Sequence, residues 1–275
     1  MWNILRFNFK APVAKMGESK IVNSVVRAAL ILQTLSRGKS RIGKISESVK
    51  LSKATTHRLL LTLAKVGFVV QDPLTQGYHL GPGLLQLFSD PILSHNSLTS
   101  CAFEEMTYLN NLTRETVLLD LRSGLQKVCI EKIDSPENLK YTNEKGFAAP
   151  IYVGGGGKVL LSELKDDELN YILKQTSFVP ITSNTIIDPE KLRAEIKKVR
   201  KQGYATSFGE RVPGSSCVSV PVKHYVAPVA LSILGPASRF TPKRIMETIM
   251  ELKQAADRIA KNLENLKEIS KSNEQ

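Results

Sequence analysis

Residues 42–83 read IGKISESVKLSKATTHRLLLTLAKVGFVVQDPLTQGYHLGPG, and that order leaves little freedom of fold. Ile42, Ile45 and Val49 recur at helical spacing, Lys50 and Leu51 interrupt the run, and Ser52 can cap the next helix. That second helix is predicted from about Lys53 to Val66, with Leu59, Leu60, Leu63 and Val66 as its apolar stripe and Gly67 as its stop. Two short β-rich runs, Phe68–Gln71 and Tyr78–Leu80, flank the turn-forming segment 72–77. Short helix, turn, longer helix and hairpin in this order make a winged helix-turn-helix, a module that lays its second helix in a DNA major groove.

A preceding helix is expected to start at Asn23 or Ser24, either able to cap it, and to end at Ser36-Arg37-Gly38. Its spacing turns Val22, Val25, Val26, Ala29, Leu32 and Leu35 toward the small core. On the helix after the turn, the face opposite the apolar stripe carries Lys53, Ala54, Thr55, His57 and Arg58. With Ser52 these are the candidate DNA-contacting residues. Lys53 and Arg58 can neutralise phosphates or pair with guanine, and Thr55 can bond a phosphate or touch a thymine methyl. His57 can donate to either, or simply cap or pack.

Charge supports that reading. Residues 1–90 carry thirteen Lys/Arg against four Asp/Glu, and the remainder twenty-five against twenty-two. Most of the net +12 therefore sits with the helix-turn-helix, where a polyanion is the natural partner. Cys101, Cys129 and Cys217 are widely spaced with no CxxC pair, so neither a disulfide framework nor a zinc site is expected, and a cytoplasmic setting suits them. No apolar run approaches the length of a membrane span. Residues 1–21 are expected to form a disordered arm without a secretory pattern.

The motifs taken together resemble the IclR family of bacterial and archaeal transcriptional regulators. The resemblance rests on Ser24-Val25-Val26-Arg27-Ala28, on the run from Leu51 to Leu60, on Gly67-Phe68-Val69, and on Asp72-Pro73 with Gly77-Tyr78-His79-Leu80-Gly81. It extends over roughly residues 22–265. Three positions depart from the family pattern: Lys50 stands at a usual glycine, Ala54 at a common serine and Ala29 at a common leucine. A non-glycine residue at a left-handed position costs on the order of 1 kcal/mol.

After residue 84 the pattern is helical to about 113, broken near Asp90-Pro91, and is expected to be a linker. A hairpin comes next, Thr116–Leu121 with Gln126–Ile133, and later β-rich runs lie at 216–222 and 226–234. Helices are predicted at 158–164, 166–174, 189–202 and 241–269. This mixture predicts an α+β domain with an antiparallel sheet over 114–270, joined by the helical linker 84–113 to a winged helix-turn-helix over 22–83. The resemblance implies that the second domain is GAF-like, binds an effector and mediates oligomer contacts.

Its most unusual segment is Gly154-Gly155-Gly156-Gly157-Lys158 ahead of an apolar helix. Consecutive glycines let amides converge on one anion, and a helix start adds partial positive charge. A nucleotide-binding P-loop is excluded, because Tyr152 and Val159 occupy places that need glycine and Ser/Thr. A flexible turn without ligand is the plain alternative. Carried over from family members that bind small organic acids, the effector contacts fall on Gly155, Gly156 and Ser232, on Ser207 or Phe208, and on Pro221, beside which Cys217 and Ser219 are the polar candidates. The position of the usual companion two residues after Ser232 is held by Leu234, and Cys217 and Ser232 can equally be packed strand residues.

The sequence thus points to a sequence-specific DNA-binding regulator gated by a small carboxylate, without cofactor or metal, acting as a homodimer or homotetramer on double-stranded DNA away from any membrane. A ligand-independent regulator with a degenerate pocket is the alternative. An enzyme acting on a small acid finds little support, since His95 and His224 have no motif partners and no nucleophile–base pair is visible.

Overall fold

A computed structural model describes residues 22–87 and 95–272, so the expected arm 1–21 and the break at Asp90-Pro91 lie outside the described residues. The chain divides into two compact units, Met1–Ser94 and His95–Gln275.

The first unit contains α1 (Asn23–Ser36), α2 (Ile42–Val49), α3 (Lys53–Lys65), β1 (Val69–Gln71), β2 (Tyr78–Leu80) and a short α4 (Gly83–Leu87). Its core is Ile31, Leu35, Ile45, Leu60, Leu63, Val69 and Tyr78, with Ile42, Val49 and Leu59 packed at its margin. The expected inner face of α1 is corrected by about one quarter turn. Ala28, Ile31, Leu32 and Leu35 meet the core, whereas Val22, Val25 and Val26 are exposed and Ala29 lies at the surface. The i, i+3, i+4, i+7 set anchored on Ile31 wins because Ile31 and Leu35 are the α1 side chains buried with those of α2 and α3. Neither Asn23 nor Ser24 caps α1; Val22 occupies the cap position without a side-chain bond. Val66, expected on the stripe of α3, is exposed as the cap residue after Lys65.

Lys50 ends α2 in the left-handed region at φ +53°, and the Leu51 amide donates to Ser46 O at 3.0 Å. That closure turns the chain into α3 and explains why glycine suits the site. In the wing, β1 and β2 pair antiparallel, Val69 opposite Leu80. Asp72 accepts from the Leu74 amide at 2.8 Å and the Thr75 hydroxyl at 2.6 Å, fixing the turn. The Tyr78 amide donates to Ser40 O at 2.8 Å, tying the hairpin to the segment before α2. Gly81 must be glycine, since a Cβ there would stand 2.2 Å from Gly67 O.

The second unit is built on a six-stranded antiparallel sheet in the order β5-β4-β3-β8-β7-β6. Its strands are β3 (Thr116–Ser123), β4 (Gln126–Ile133), β5 (Ala148–Pro150), β6 (Ala205–Phe208), β7 (Ser215–Val222) and β8 (Val229–Pro236). Helices α5 (Asn96–Thr113) and α9 (Pro242–Ser272) cover one face, where Val117, Leu119, Val218, Val220, Leu231 and Ile233 alternate along the strands. Helices α6 (Gly154–Ser162), α7 (Asp166–Gln175) and α8 (Pro189–Gln202) form a second core with Ala205 and Ala230 from the other face and Tyr152 from the turn before α6. Central β8 is buried throughout because both its faces are covered.

Two sequence expectations are corrected by this architecture. The stretch expected as a linker over 84–113 is divided: Gly83–Leu87 is a short helix of the first unit, and α5 buries Leu98, Ala102, Met106 and Leu109 in the core of the second. Four apolar side chains on one helical face bind α5 to the sheet as an integral part of that layer. Helix α6 starts at Gly154 rather than Lys158, so the glycines form its opening turn instead of a preceding loop.

The left-handed Lys50 yields a direct test. Lys50→Gly removes the steric cost of the conformation, offset in part by the freer unfolded glycine, for a net gain of about 0.5–1 kcal/mol. Urea unfolding of the full chain should show a higher midpoint at unchanged slope, and an equal or lower midpoint would contradict the assignment.

Candidate nucleic-acid interface and ligand cavity

Helix α3 presents its N-terminal end to solvent. Ser52 caps it, accepting from the Thr55 amide at 3.2 Å while its hydroxyl donates to Thr55 Oγ1 at 2.9 Å. Thr56, one residue on, points the opposite way: it is fully buried and donates to Ser52 O at 3.0 Å. The helix therefore has a fixed rotation, with Leu60 and Leu63 inward and Ser52, Lys53, Ala54, His57 and Arg58 exposed, Thr55 half-buried between them. Among the described residues no carboxylate pairs with Lys53 or Arg58, and the first turn holds no acid. An unpaired cationic face at a positive helix end is suited to phosphates.

The second unit holds a cavity of about 390 Å³ including its open mouth, with Asp120, Lys127, Asn143, Arg211 and Ser215 in its wall. Of the six positions expected for an effector, Gly155, Gly156, Ser207, Cys217 and Ser232 line it, together with Gly154, Leu118, Val153 and Leu234. Ser219 does not. It lies fully buried below, its hydroxyl 2.7 Å from Ser232 Oγ and 3.5 Å from Cys217 Sγ. Its place is under Gly155, whose added Cβ would meet Ser219 Oγ at 2.8 Å.

The glycine run is explained by close approach. A Cβ on Gly156 would stand 2.7 Å from Asp120 Oδ2, and one on Gly157 only 2.0 Å from Ile151 O. Glycines are poor helix formers, yet only glycine at 155, 156 and 157 lets the start of α6 lie directly on the sheet. The first amides of a helix have no carbonyl in their own helix. Gly154 N–H donates to Glu210 Oε2 at 3.0 Å, and Gly155 and Gly156 line the cavity. Lys158, which the sequence placed beside the glycines, turns away: buried, it donates to Glu210 Oε1 and to Thr206 O at 3.1 Å.

Sequence reasoning missed the charged lining. Lys127 Nζ meets Asp120 Oδ2 at 2.8 Å, both side chains more than nine-tenths buried. A register shift between Leu119 and Asp120 sets Asp120 opposite Cys129 and brings Lys127 to the same face. A carboxylate at an inward position of the apolar run Thr116–Leu121 was the available signal, since a buried charge requires a partner. Arg211 had no such signal, because it lies in the irregular segment 209–214. Its guanidinium stacks over the Phe147 ring at 5.2 Å, and burial pulls it below its ordinary value, with Asp120 opposing. It stays charged. Burial raises the Cys217 thiol and pushes Cys129 up to about 12, so both are inert thiols at neutral pH.

One unit with an exposed cationic helix-turn-helix and another enclosing a small polar cavity define a DNA-binding regulator of the one-chain type. Residues 24–73 match the IclR helix-turn-helix domain, and residues 91–261 match the bacterial transcriptional regulator IclR C-terminal domain. The chain is 34% identical over 244 residues to the HTH-type transcriptional regulator KdgR of Escherichia coli (strain K12), covering 87% of this chain and 92% of that protein. The crystal structure of Thermotoga maritima IclR superposes with a TM-score of 0.71 at 28% identity, covering 88% of this chain and 98% of that one. An IclR homolog from Microbacterium hydrocarbonoxydans, complexed with 4-hydroxybenzoate, shares the fold at TM-score 0.72 and 20% identity, covering 88% and 99% of the two chains. The protein belongs to the IclR family of transcriptional regulators.

The packing of α6 can be tested without ligand. Gly157→Ala forces a methyl against the Ile151 carbonyl, a backbone atom that cannot swing aside. The expected loss is about 1–3 kcal/mol or more by chemical denaturation. A variant as stable as the parent would show that the helix does not approach the sheet this closely.

Proposed function

We propose that this regulator reads a double-stranded operator with the exposed N-terminal half of α3, and that a small carboxylate in the cavity of the second unit gates that binding. Lys53, Thr55, His57 and Arg58 make the base and phosphate contacts, Ala54 offers a methyl surface, and Ser52 holds the helix start that presents them. The carrying observation is the unpaired cationic face of α3 in a chain of this family. The wing backbone supplies further phosphate contacts beside it.

On the effector side, the support is an uncompensated guanidinium, Arg211, sharing an open cavity with two helix-opening amides. The relative solved with 4-hydroxybenzoate bears a carboxylate ligand on the same fold. Arg211 is half-buried over the Phe147 ring, and a wall that keeps its guanidinium free of any carboxylate ion pair among the described residues suits an anionic ligand, which favours the gated reading over a ligand-independent regulator. No catalytic role is assigned, in keeping with relatives that are transcriptional regulators and repressors. We further propose a homo-oligomer of two-fold symmetry, dimer or tetramer, matching a palindromic operator, and a cytoplasmic site of action. No helix among the described residues is long and apolar enough to cross a membrane.

Binding of the full chain to the DNA upstream of its own gene should weaken steeply with salt, the log–log slope tracking the number of phosphates neutralised. A flat salt dependence would refute contact through α3. Arg58→Ala should lower operator affinity by about 1–3 kcal/mol and relax specificity at one base pair, whereas a uniform loss across sequences would mark Arg58 as a phosphate contact only.

A further inference from the structure

We propose that the second unit carries a further anion site, a cavity between α7 and α8 that takes the dianionic head of a small phosphate monoester on Arg193, Lys197 and Asn170, with its carbon body against Leu169 and Ile196. The site lies apart from the cavity at the start of α6 and shares no residue with it.

Space comes first. With open mouths left out, the cavity between α7 and α8 has about 220 Å³, against about 30 Å³ at the start of α6. Leu169 and Ile196 line it and belong to the buried core of this layer, so its apolar side is rigid. Its polar side is Asp166 and Asn170 from α7 with Arg193, Lys197 and Arg200 from α8.

The charges there do not cancel. Residues 193, 197 and 200 recur at helical spacing, which sets three cations on one face of α8. Asp166 meets Arg200 at 2.6 Å, and that guanidinium also donates to Ser162 O at 3.0 Å and Leu164 O at 2.6 Å. Two cations remain. Among the described residues no carboxylate pairs with Lys197, and Glu195, two residues before it, is engaged by Lys198 at 2.6 Å. Arg193 has Glu190 at 3.5 Å, an exposed contact within one helix turn that solvent weakens. The field reaches Asp166, whose carboxyl Arg200 holds below its usual value, with Arg193 and Lys197 acting in the same sense. An anion at this wall feels all three cations.

Geometry supplies the second, independent observation. Arg193 is held from across the cavity, one guanidinium N–H donating to Asn170 Oδ1 at 2.7 Å. With that oxygen engaged, the Asn170 nitrogen keeps its N–H groups for a ligand. A planar fork, a point-charge ammonium and an amide donor together suit the terminal oxygens of a phosphate monoester, which gathers nearly two negative charges on one group. A single carboxylate answers one cation and leaves the other. Like charges four residues apart on a helix repel, and a dianion between them turns that repulsion into binding.

Calorimetric titration of the full chain in phosphate-free buffer tests this with glycerol 3-phosphate, inorganic phosphate and glycerol. Glycerol 3-phosphate should bind, inorganic phosphate should bind more weakly for want of a carbon body, and glycerol should not bind. Lys197→Gln and Arg193→Gln should each weaken the ester about tenfold. Lys197 is exposed and holds no carboxylate, so its loss is read in binding rather than in folding. Lys201→Gln makes the same charge change on an exposed position of α8 outside the cavity and should leave the affinity unchanged. Equal losses in Lys201→Gln and Lys197→Gln would mark diffuse attraction to a basic helix and overturn the proposal. So would a Lys197→Gln protein that binds the ester as tightly as the parent, or inorganic phosphate binding as tightly as the ester. Loss of the ester in Arg211→Gln would put the ligand in the other cavity and overturn it too. No ester binding, with operator affinity lowered in Lys197→Gln, would mean that α8 meets nucleic acid instead.

Discussion

A helix can begin directly on a sheet only where its side chains are absent, and the second unit is organised around that condition. Gly155, Gly156 and Gly157 bring α6 so close that any Cβ would strike Ser219, Asp120 or the Ile151 carbonyl. The consequences are electrostatic as much as steric. Pressing the helix down strips water from Asp120, and Lys127 must then accompany it, because an unpaired buried carboxylate is costly. The same closeness brings Gly155 and Gly156 to the wall of the space left between helix and sheet. Close packing, a buried ion pair and an anion-facing wall thus arise from one sequence feature.

The first unit solves a different problem with the same economy. Reading a groove requires a helix whose outer face is committed to nothing in its own chain. Thr56, Leu60 and Leu63 hold α3 by its inner side, and Ser52 caps its opening turn through the Thr55 amide, so the cations on the outer face are left unpaired. Lys50 accepts backbone strain at the turn that sets the approach of α3. The strain persists because the packing of α2 and α3 determines the turn from both sides.

How much of this is legible in the residues depends on the range of the forces involved. Local patterns place α2, α3, the wing and the β3–β4 hairpin closely, because caps, turns and periodicity act within a few residues. The inner face of α1 comes out a quarter turn off from pattern alone, since Val25 and Ile31 are equally apolar and only tertiary contact distinguishes them. Strands β5 and β6 leave no readable pattern: each is short, Ala148–Pro150 and Ala205–Phe208, and exists by pairing with β4 and β7. The glycine run is conspicuous in the sequence, but its structural meaning is the reverse of the expected loop, a helix start. Five of the six effector positions line the cavity, yet the ionic groups come from residues 120, 127 and 211, which only the fold brings together.

That assembly also bears on how occupancy could be felt beyond the cavity. Residues 209–214 form a strap tied at one end: Thr182 and Thr185 donate to the Gly209 and Glu210 carbonyls, and the Glu210 carboxylate grips Gly154 and Lys158. Arg211 is the next residue, and no carboxylate among the described residues pairs with its guanidinium. A carboxylate bridging Arg211 and the Gly155–Gly156 amides would join strap and helix start a second time, reinforcing the closure that Glu210 already makes. A ligand touching only one of the two would gain affinity without favouring one arrangement over another. Only differential affinity shifts an equilibrium. Under the proposed gating, the bridging position, rather than tightness as such, is what would let this cavity send a signal.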